Sequence, residues 1–303
     1  MKEYRIKPWE ELTIRDDYMF KLIMSRKPIC KSMLECTLGM KIRDIVYLEA
    51  EKTMTARYQG KGIRLDIYVK DEKDTVYNIE MQVRQLEGDG LSKRTRYYQS
   101  MMDADLLAAG ADYDNLNKSI IIFICPFDPF GEGRYIYTFE NICLEDKEVK
   151  LEDGTTKIFL NTKGSVGEID RSVKAFLQYV NGVSSEDRLV QEIEQEIEKV
   201  RREEGEKVNY MTFAMKMMEE RKEGFREGKL EGIAEGERKG RAEGERKGRA
   251  EGRMEGEHKG RTETQQMMLE IFPLLRNRVP LEEISRRTGC TLEYLQQLQA
   301  VLR

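Results

Sequence analysis

Glycine recurs at every fourth position along one stretch of the chain, and this pattern most restricts what the chain can fold into. Ten glycines from Gly224 to Gly260 keep the spacing, and the octet EGERKGRA stands twice in tandem at 235–242 and 243–250. The stretch 219–263 also holds 13 acidic and 13 basic residues but few large apolar ones. Such a segment cannot bury a hydrophobic core, so the core of this 303-residue chain must lie outside it.

The glycine stretch is a poor helix on its own. Each glycine costs about 1 kcal/mol relative to alanine, whereas pairs such as Glu235–Lys239 and Glu243–Lys247 each return only ~0.2–0.5 kcal/mol. Because four residues advance a helix by about 400°, each glycine lies ~40° further round than the last. The pattern predicts a semi-flexible, partly helical spacer. The alternative is a dimerising helix, in which a right-handed supercoil keeps the glycines against a partner.

The apolar patterning divides the rest of the chain. Before residue 185, strand-like runs interleave with helical spacing, which predicts a mixed α/β domain. The run SIIIFIC at 119–125 is apolar on both faces, as in a central strand, and segment 134–163 predicts edge strands. The last segment resembles a helix-turn-helix in outline, although plain helical hairpins share that outline. The predicted segments are a mixed α/β domain at 1–184, a helical extension at 185–222, the glycine spacer at 223–263 and a small helical unit at 264–303.

Scarce residue types exclude several kinds of active site. The single histidine, His258, rules out multi-histidine metal sites and Ser-His-Asp triads built from this chain alone. The five cysteines show no C-x-x-C spacing, which argues against a disulfide framework and predicts a reducing, cytoplasmic setting. The sequence contains no run of 18 apolar residues, so no membrane span is expected. A formal net charge of -4 excludes a uniformly basic nucleic-acid coat protein.

Two alternating runs predict a β-hairpin in the first domain. They are IRLDIYVK at 63–70 and TVYNIEMQV at 75–83, joined by the polar turn DEKD. Strict alternation places the apolar residues of 63–69 on one face of the first strand. A turn centred near Lys73 would set Asp66 opposite Glu80, with their Cβ atoms ~5 Å apart.

The same register sets Arg64 opposite Gln82 and makes two acids converge. Their repulsion is costly unless one is protonated or a cation lies between them, and oxygen ligands at this separation suit Mg²⁺ or Mn²⁺. The spacing is also compatible with a solvated polar face on which Asp66 pairs with Arg64 or Arg94.

Four blocks of the sequence carry a specific resemblance. They are DDYMFKLIM near the start, RLDIYVKDEKDTVYNIEMQ across the hairpin, KRTRYYQSMMDADLLAAGADYDNLNKSIIIFIC after it, and EGEKVNYM further on. In this order they resemble the recombination-promoting nucleases, also called PD-(D/E)XK nuclease family transposases, over about residues 12–220. The resemblance implies a restriction-endonuclease-like α/β fold, in which helices flank a mixed sheet and a helical C-terminal extension follows.

The resemblance also implies hydrolysis of DNA phosphodiesters with Mg²⁺ or Mn²⁺. Carried over by position, Asp66 and Glu80 would ligate the metal together with the backbone carbonyl of Met81. Gln82 stands where the wider superfamily has lysine, although the branch resembled here also carries glutamine. A neutral glutamine can form hydrogen bonds but cannot stabilise charge on a phosphate as lysine does, so another residue must supply the cation.

Arg94, on the helix after the hairpin, is the candidate for that cation, because arginine can neutralise the developing charge on a phosphate. Tyr97 and Tyr98 lie within a turn of it and are candidates for binding phosphate oxygens, as is Arg64 on the hairpin. The alternative is that Tyr98 packs in the core and Arg94 is a surface residue. Asp17 resembles the family's N-terminal acid, an accessory group that can approach the metal, although such a residue is more often a helix cap.

Two functions of different kinds follow. The first is a metal-dependent DNA endonuclease that promotes recombination or the movement of a mobile element. The second is a non-catalytic DNA- or protein-binding protein on a degenerate nuclease fold, whose repeat tail mediates assembly. The oligomeric state stays open, although two cuts on a duplex would favour a homodimer. The basic residues expected to bind DNA gather in sequence around the hairpin: Lys61, Arg64, Arg84, Lys93, Arg94 and Arg96.

Overall fold

The chain folds into two units, residues 1–218 and 219–303. The computed structural model describes residues 6–55, 60–85, 88 and 90–301. Six strands are described: β1 Ile45–Met54, β2 Ile63–Asp71, β3 Val76–Met81, β4 Ser119–Cys125, β5 Ile136–Phe139 and β6 Thr155–Asn161. The described α-helices are α1 Asp17–Met24, α2 Lys27–Leu38, α3 Gly90–Leu106, α4 Arg171–Val180, α5 Arg188–Arg201, α6 Glu204–Arg276, α7 Leu281–Thr288 and α8 Leu292–Val301.

The six strands form one mixed sheet in the first unit, in the order β1-β2-β3-β4-β6-β5. Strand β2 pairs antiparallel with β1 on one side and with β3 on the other. The short turn between β2 and β3 reverses the chain direction. Helix α3 then carries the chain to β4, which pairs parallel with β3. This crossover places β3 at the centre of the sheet, with neighbours on both sides. The mixed sheet flanked by helices confirms the predicted fold class.

Helices cover both faces of the sheet and bury its apolar side chains. On one face, α1, α2, α4 and α5 pack with residues such as Ile79 and Ile122 in the larger core. On the other face, α3 contributes Tyr98 and Met102 to a second core that includes Phe123. Both faces of β3 are therefore shielded, and all six of its residues are buried.

The prediction of edge strands in segment 134–163 is right for β5 and wrong for β6. Strand β6 lies between β4 and β5 and pairs parallel with β4. Its last residues are buried on both faces: Ile158 and Leu160 point into the larger core, and Phe159 points into the second. A strand covered on both faces belongs in the interior of a sheet.

Helix α6 runs without interruption from Glu204 to Arg276 and includes the whole glycine repeat. The sequence predicted only partial helix there. Ion pairs at i, i+4 support the repeat, with Glu235–Lys239 at 2.7 Å and Glu243–Lys247 at 3.1 Å as expected. The side chains of residues 219–263 are exposed.

The last two helices form a small core with the end of α6. Gly289 ends α7 with φ 72°, a left-handed conformation that favours glycine, and α8 begins three residues later. Ile271, Ile284 and Leu295 are buried between the three segments. Within the described residues, no helix combines the length and apolar character needed to cross a bilayer.

The glycines of the repeat can be tested by substitution. A Cβ added at Gly236, Gly240, Gly244 or Gly248 meets no atom within 4 Å, so alanine removes backbone freedom without a clash. Each Gly→Ala change should stabilise the helix by about 1 kcal/mol, which far-UV circular dichroism of the full chain during heating would show. Gly182→Ala is the control, because φ 86° there makes alanine unfavourable. Loss of a dimer on Gly→Ala substitution, seen by sedimentation, would instead indicate that the glycines contact a partner helix.

Candidate active site

Asp66 and Glu80 meet where β2 and β3 separate. The antiparallel ladder is regular through Ile67 and Ile79, in the predicted register. One step further, the backbone N–H of Asp66 donates to Glu80 Oε1 at 3.0 Å, and the N–H of Met81 donates to Asp66 Oδ2 at 3.1 Å. Each carboxylate therefore accepts a backbone hydrogen bond from the other strand, and these bonds fix the two acids side by side.

The first strand changes face at Asp66, so the predicted single apolar face of 63–69 is wrong. Leu65 belongs to the core beneath α3, whereas Ile67 belongs to the core on the opposite face. Glu51, which lies opposite Asp66 on β1, has φ 58°. This left-handed conformation is uncommon for a residue with a side chain, and it interrupts the regular pleat of the β1–β2 ribbon. The interruption brings the Asp66 carboxylate toward the end of β3.

Limited access to water raises the pKa values of both acids. Only 3% of Glu80 is exposed. Burial, together with the neighbouring charge of Asp66, raises the pKa of Glu80 to about 8, against the effects of the Asp66 N–H and Arg94. Burial also raises the pKa of Asp66, although the charge of Lys21 opposes that shift. A pair whose two negative charges are this costly is ready to accept a cation.

Arg94 lies against the acid pair, as predicted. Its Nη2 donates to Glu80 Oε2 at 3.1 Å. Its Cζ lies 5.1 Å from the centre of the Tyr98 ring and 5.0 Å from that of Phe123, so the guanidinium lies within cation–π distance of two aromatic rings that stack on each other. The side chain keeps 28% of its surface exposed. Arg94 is therefore both fixed beside Glu80 and accessible from outside.

Lys21, on α1, is a member of the site that the sequence reasoning missed. Its Nζ lies 2.8 Å from Asp17 Oδ2, 3.0 Å from Glu51 Oε1 and 3.5 Å from Asp66 Oδ1. Although burial alone would lower the pKa of Lys21, attraction to Asp17, Asp66 and Glu51 raises it overall. The i, i+4 spacing of Asp17 and Lys21 was the available signal, but it does not identify the other two partners.

The tyrosine candidates and Gln82 occupy different surroundings. Tyr98 packs in the core with Phe123, as the alternative prediction held, and its ring supports Arg94. Tyr97 is partly buried, and its hydroxyl donates to the carbonyl of Lys61. The side-chain amide of Gln82 donates to the carbonyl of Arg84. Gln82 is thus buried and bonded to its own segment.

The remaining candidates lie on the side of Asp66. Asp17 is the first residue of α1 and is about half exposed, with its carboxylate on Lys21. Arg64 is also half exposed, and its Nη1 lies 3.8 Å from Glu51 Oε1. Asp66 therefore has Lys21 as its cationic neighbour, and the alternative prediction, in which Asp66 pairs with Arg64 or Arg94 on a solvated face, is wrong. The structure joins Asp17 to the acid pair through Lys21 and joins Arg64 to it through Glu51.

Comparison with known proteins agrees with this geometry. A sequence profile described as PD-(D/E)XK nuclease family transposase matches residues 14–229. The chain belongs to this family. A search of curated proteins and a search of solved structures each found no match. Membership supports a nuclease- or transposase-type function and a DNA substrate, and it is consistent with the restriction-endonuclease-like fold.

PD-(D/E)XK nucleases typically use divalent metals, and the residues present fit such an ion. Among the described residues, no group of three or more His, Cys, Asp or Glu side chains gathers in a metal-binding arrangement. Mg²⁺, however, is commonly bound by one or two carboxylates and keeps several waters. Asp66 and Glu80 supply two. The carbonyl of Met81 accepts the N–H of Val83 at 3.2 Å, which leaves its second lone pair for a ligand.

The raised pKa of Glu80 predicts how the stability of the metal-free protein depends on pH. A glutamate whose pKa is raised on folding contributes its full stabilisation at pH values below the ordinary pKa of glutamate, about 4.3. This contribution to the free energy of unfolding is lost as pH rises to about 8. In EDTA, the neutral Glu80→Gln variant should therefore melt at a higher temperature than wild type at alkaline pH, by about 2–4 °C for each kcal/mol gained.

Differential scanning calorimetry across pH would measure this gain, which should shrink toward about pH 5. Glu140→Gln is the matched control, because Glu140 is exposed and pairs with Lys150 at 2.7 Å. If the increase in melting temperature is the same at every pH, the pKa of Glu80 is not raised by its burial.

Proposed function

We propose that this protein is a Mg²⁺- or Mn²⁺-dependent DNA endonuclease that hydrolyses phosphodiester bonds and promotes recombination or transposition of a mobile element. The observation that carries the proposal is the acid pair, in which the partly buried Asp66 and the buried Glu80 lie side by side and are fixed by each other's strands. Charge on this pair is costly, since the pKa values of both acids are raised, and a bound divalent cation would offset that cost. This arrangement supports a divalent-cation site.

Each residue at the site has a role that its position suggests. Asp66, Glu80 and the Met81 carbonyl would hold the divalent ion, which supplies Lewis-acid polarisation of the phosphate and activation of a water. Arg94 would neutralise the charge that develops on the phosphate, because its guanidinium is fixed beside Glu80 and is partly exposed. The Tyr97 ring would lie at the edge of the bound DNA.

The surface around the hairpin supports DNA binding despite the overall net charge of -4. Phosphate binding depends on the local density of Lys and Arg more than on net charge. Several basic residues that flank the acid pair in sequence are exposed: Lys61, Arg64, Arg84, Lys93 and Arg96. The basic residues needed for a DNA backbone are therefore at the hairpin and α3.

The rival function, a non-catalytic binding protein on a nuclease fold, is favoured by one observation. Gln82 stands at the superfamily's lysine position, and its amide is engaged with the carbonyl of Arg84. If no other residue supplies a cation there, the site would bind without cutting. Cleavage assays separate the two functions.

Neutralising either acid should abolish cleavage. Asp66→Asn and Glu80→Gln keep the shape of the side chains but remove a ligand charge, so Mg²⁺-dependent nicking of plasmid DNA should fall by about a thousandfold. Asp74→Asn is the matched control in the same hairpin. Asp74 is exposed at the turn with φ 60°, which asparagine adopts readily, and its nicking rate should equal that of wild type.

EDTA should stop nicking by the wild type and by Asp74→Asn alike. If wild type and Asp66→Asn nick equally without metal, or if neither nicks, catalysis at this site is refuted and the binding function stands.

Arg94 should affect turnover more than DNA binding. Arg94→Ala should lower kcat about 10²–10³-fold, the usual range for removing one donor to a developing charge. Arg94→Lys should restore part of the rate, because lysine keeps the charge but lacks the planar fork. Single-turnover kinetics would measure both.

Arg96→Ala is the control on the same helix, since Arg96 is exposed, and it should raise KM with little change in kcat. An Arg94→Ala variant that is less stable but keeps its kcat would show that Arg94 only compensates the burial of Glu80.

A further inference from the structure

Lys21 is unusual in its burial. It is the only lysine among the buried polar and charged residues of the described chain. Its neighbours Phe20 and Ile23 point into the larger core. An ammonium group taken out of water is costly unless carboxylates and hydrogen bonds compensate it. The three carboxylates around Lys21 provide that compensation, and they come from three different elements: Asp17 from α1, Glu51 from β1 and Asp66 from β2.

Helix α1 holds Lys21 in a fixed place. Tyr18 lies next to the start of α6, where its hydroxyl donates to Glu206 at 3.0 Å and its ring packs edge-on against Tyr210. Met19, Phe20 and Ile23 are fully buried in the core. The lysine therefore projects from a rigid support toward the acid pair, and its contact with Asp66 is set by the fold.

The acid pair thus has one cation at each end. Arg94 on α3 contacts the Glu80 carboxylate, and Lys21 on α1 contacts the Asp66 carboxylate. The two helices lie on opposite faces of the sheet. Gln82, which directly follows β3, is neutral, and Lys21 supplies a positive charge on the side of Asp66.

We propose that Lys21 is a positioning residue of the nuclease site, which holds Asp66 aligned in the metal-free protein and competes with the divalent ion for that carboxylate. This inference rests on the proposed function. An ammonium 3.5 Å from a ligand oxygen neutralises part of the charge that attracts the metal, and it repels the metal itself. On metal binding, Asp17 and Glu51 retain Lys21 nearby, so the side chain does not need to leave the site.

The inference predicts opposite changes in metal affinity and turnover. Lys21→Met should bind Mn²⁺ roughly tenfold more tightly than wild type, because the competing charge is gone. The same variant should turn over more slowly, because Asp66 is no longer held in place. Its melting temperature in EDTA should fall, and Mn²⁺ should raise it by more than in wild type. Lys21→Arg keeps the charge and should bind Mn²⁺ as wild type does.

The test is Mn²⁺ binding to the full chain by isothermal titration calorimetry, with Glu80→Gln as the variant that should lose binding. Lys52→Met is the matched control. Lys52 is next to Glu51 in sequence, and its side chain is largely buried. It pairs with Asp105 of α3 at 3.1 Å. It should lower the melting temperature and leave the Kd for Mn²⁺ unchanged.

If Lys21→Met does not fold, the double variant Asp17→Asn/Lys21→Met replaces it, because it keeps the net charge of the cluster while removing the ammonium. An unchanged or weaker Kd for Mn²⁺ in either folded variant, or an unchanged turnover rate, overturns the inference alone. If the wild-type protein binds no Mn²⁺, or if Glu80→Gln binds Mn²⁺ with the same Kd as wild type, the proposed function is overturned and this inference with it.

Discussion

The close approach of two carboxylates, Glu80 buried and Asp66 partly buried, is the constraint on which the rest of this structure depends. Such a pair is unstable in a low-dielectric interior unless each charge is compensated. The fold compensates it twice. Backbone N–H groups of Asp66 and Met81 donate across the opening between β2 and β3, and Lys21 and Arg94 place a cation at each end. The two backbone bonds and the bond from Arg94 to Glu80 are charge-assisted hydrogen bonds, whereas Lys21 approaches Asp66 as an ion pair at 3.5 Å.

The topology of the sheet explains how these groups reach one place. Strand β3 pairs antiparallel with β2 and parallel with β4, and the parallel pairing requires a crossover, which α3 provides. The crossover places Arg94 over the α3 face of β3, where Tyr98 and Phe123 support it. Helix α1 covers the other face and supplies Lys21. The site therefore needs both helical layers.

Some of this was accessible from the sequence, and some was not. Alternation and a short polar turn fix the register of a hairpin, so the convergence of Asp66 and Glu80 could be predicted from local spacing. The interior place of β6 could not, because it depends on pairing with β4 from a distant part of the chain. The role of Lys21 could not either, since Glu51 and Asp66 reach it only after β1 and β2 have packed against α1. The face change at Asp66 coincides with the left-handed backbone of Glu51 on the paired strand, and neither carries a sequence signature.

The glycine repeat stands apart from this chemistry. Every contact described at the acid pair comes from residues between Asp17 and Phe123, inside the first unit and inside the family match, which ends at residue 229. The stretch 219–263, which holds the repeat, carries equal numbers of acidic and basic residues, so it adds no net charge that could draw DNA to the site. Its glycines contact nothing within the chain that an alanine would disturb. The geometry of the acid pair therefore does not require the repeat, and the length of the repeat can change without altering that geometry.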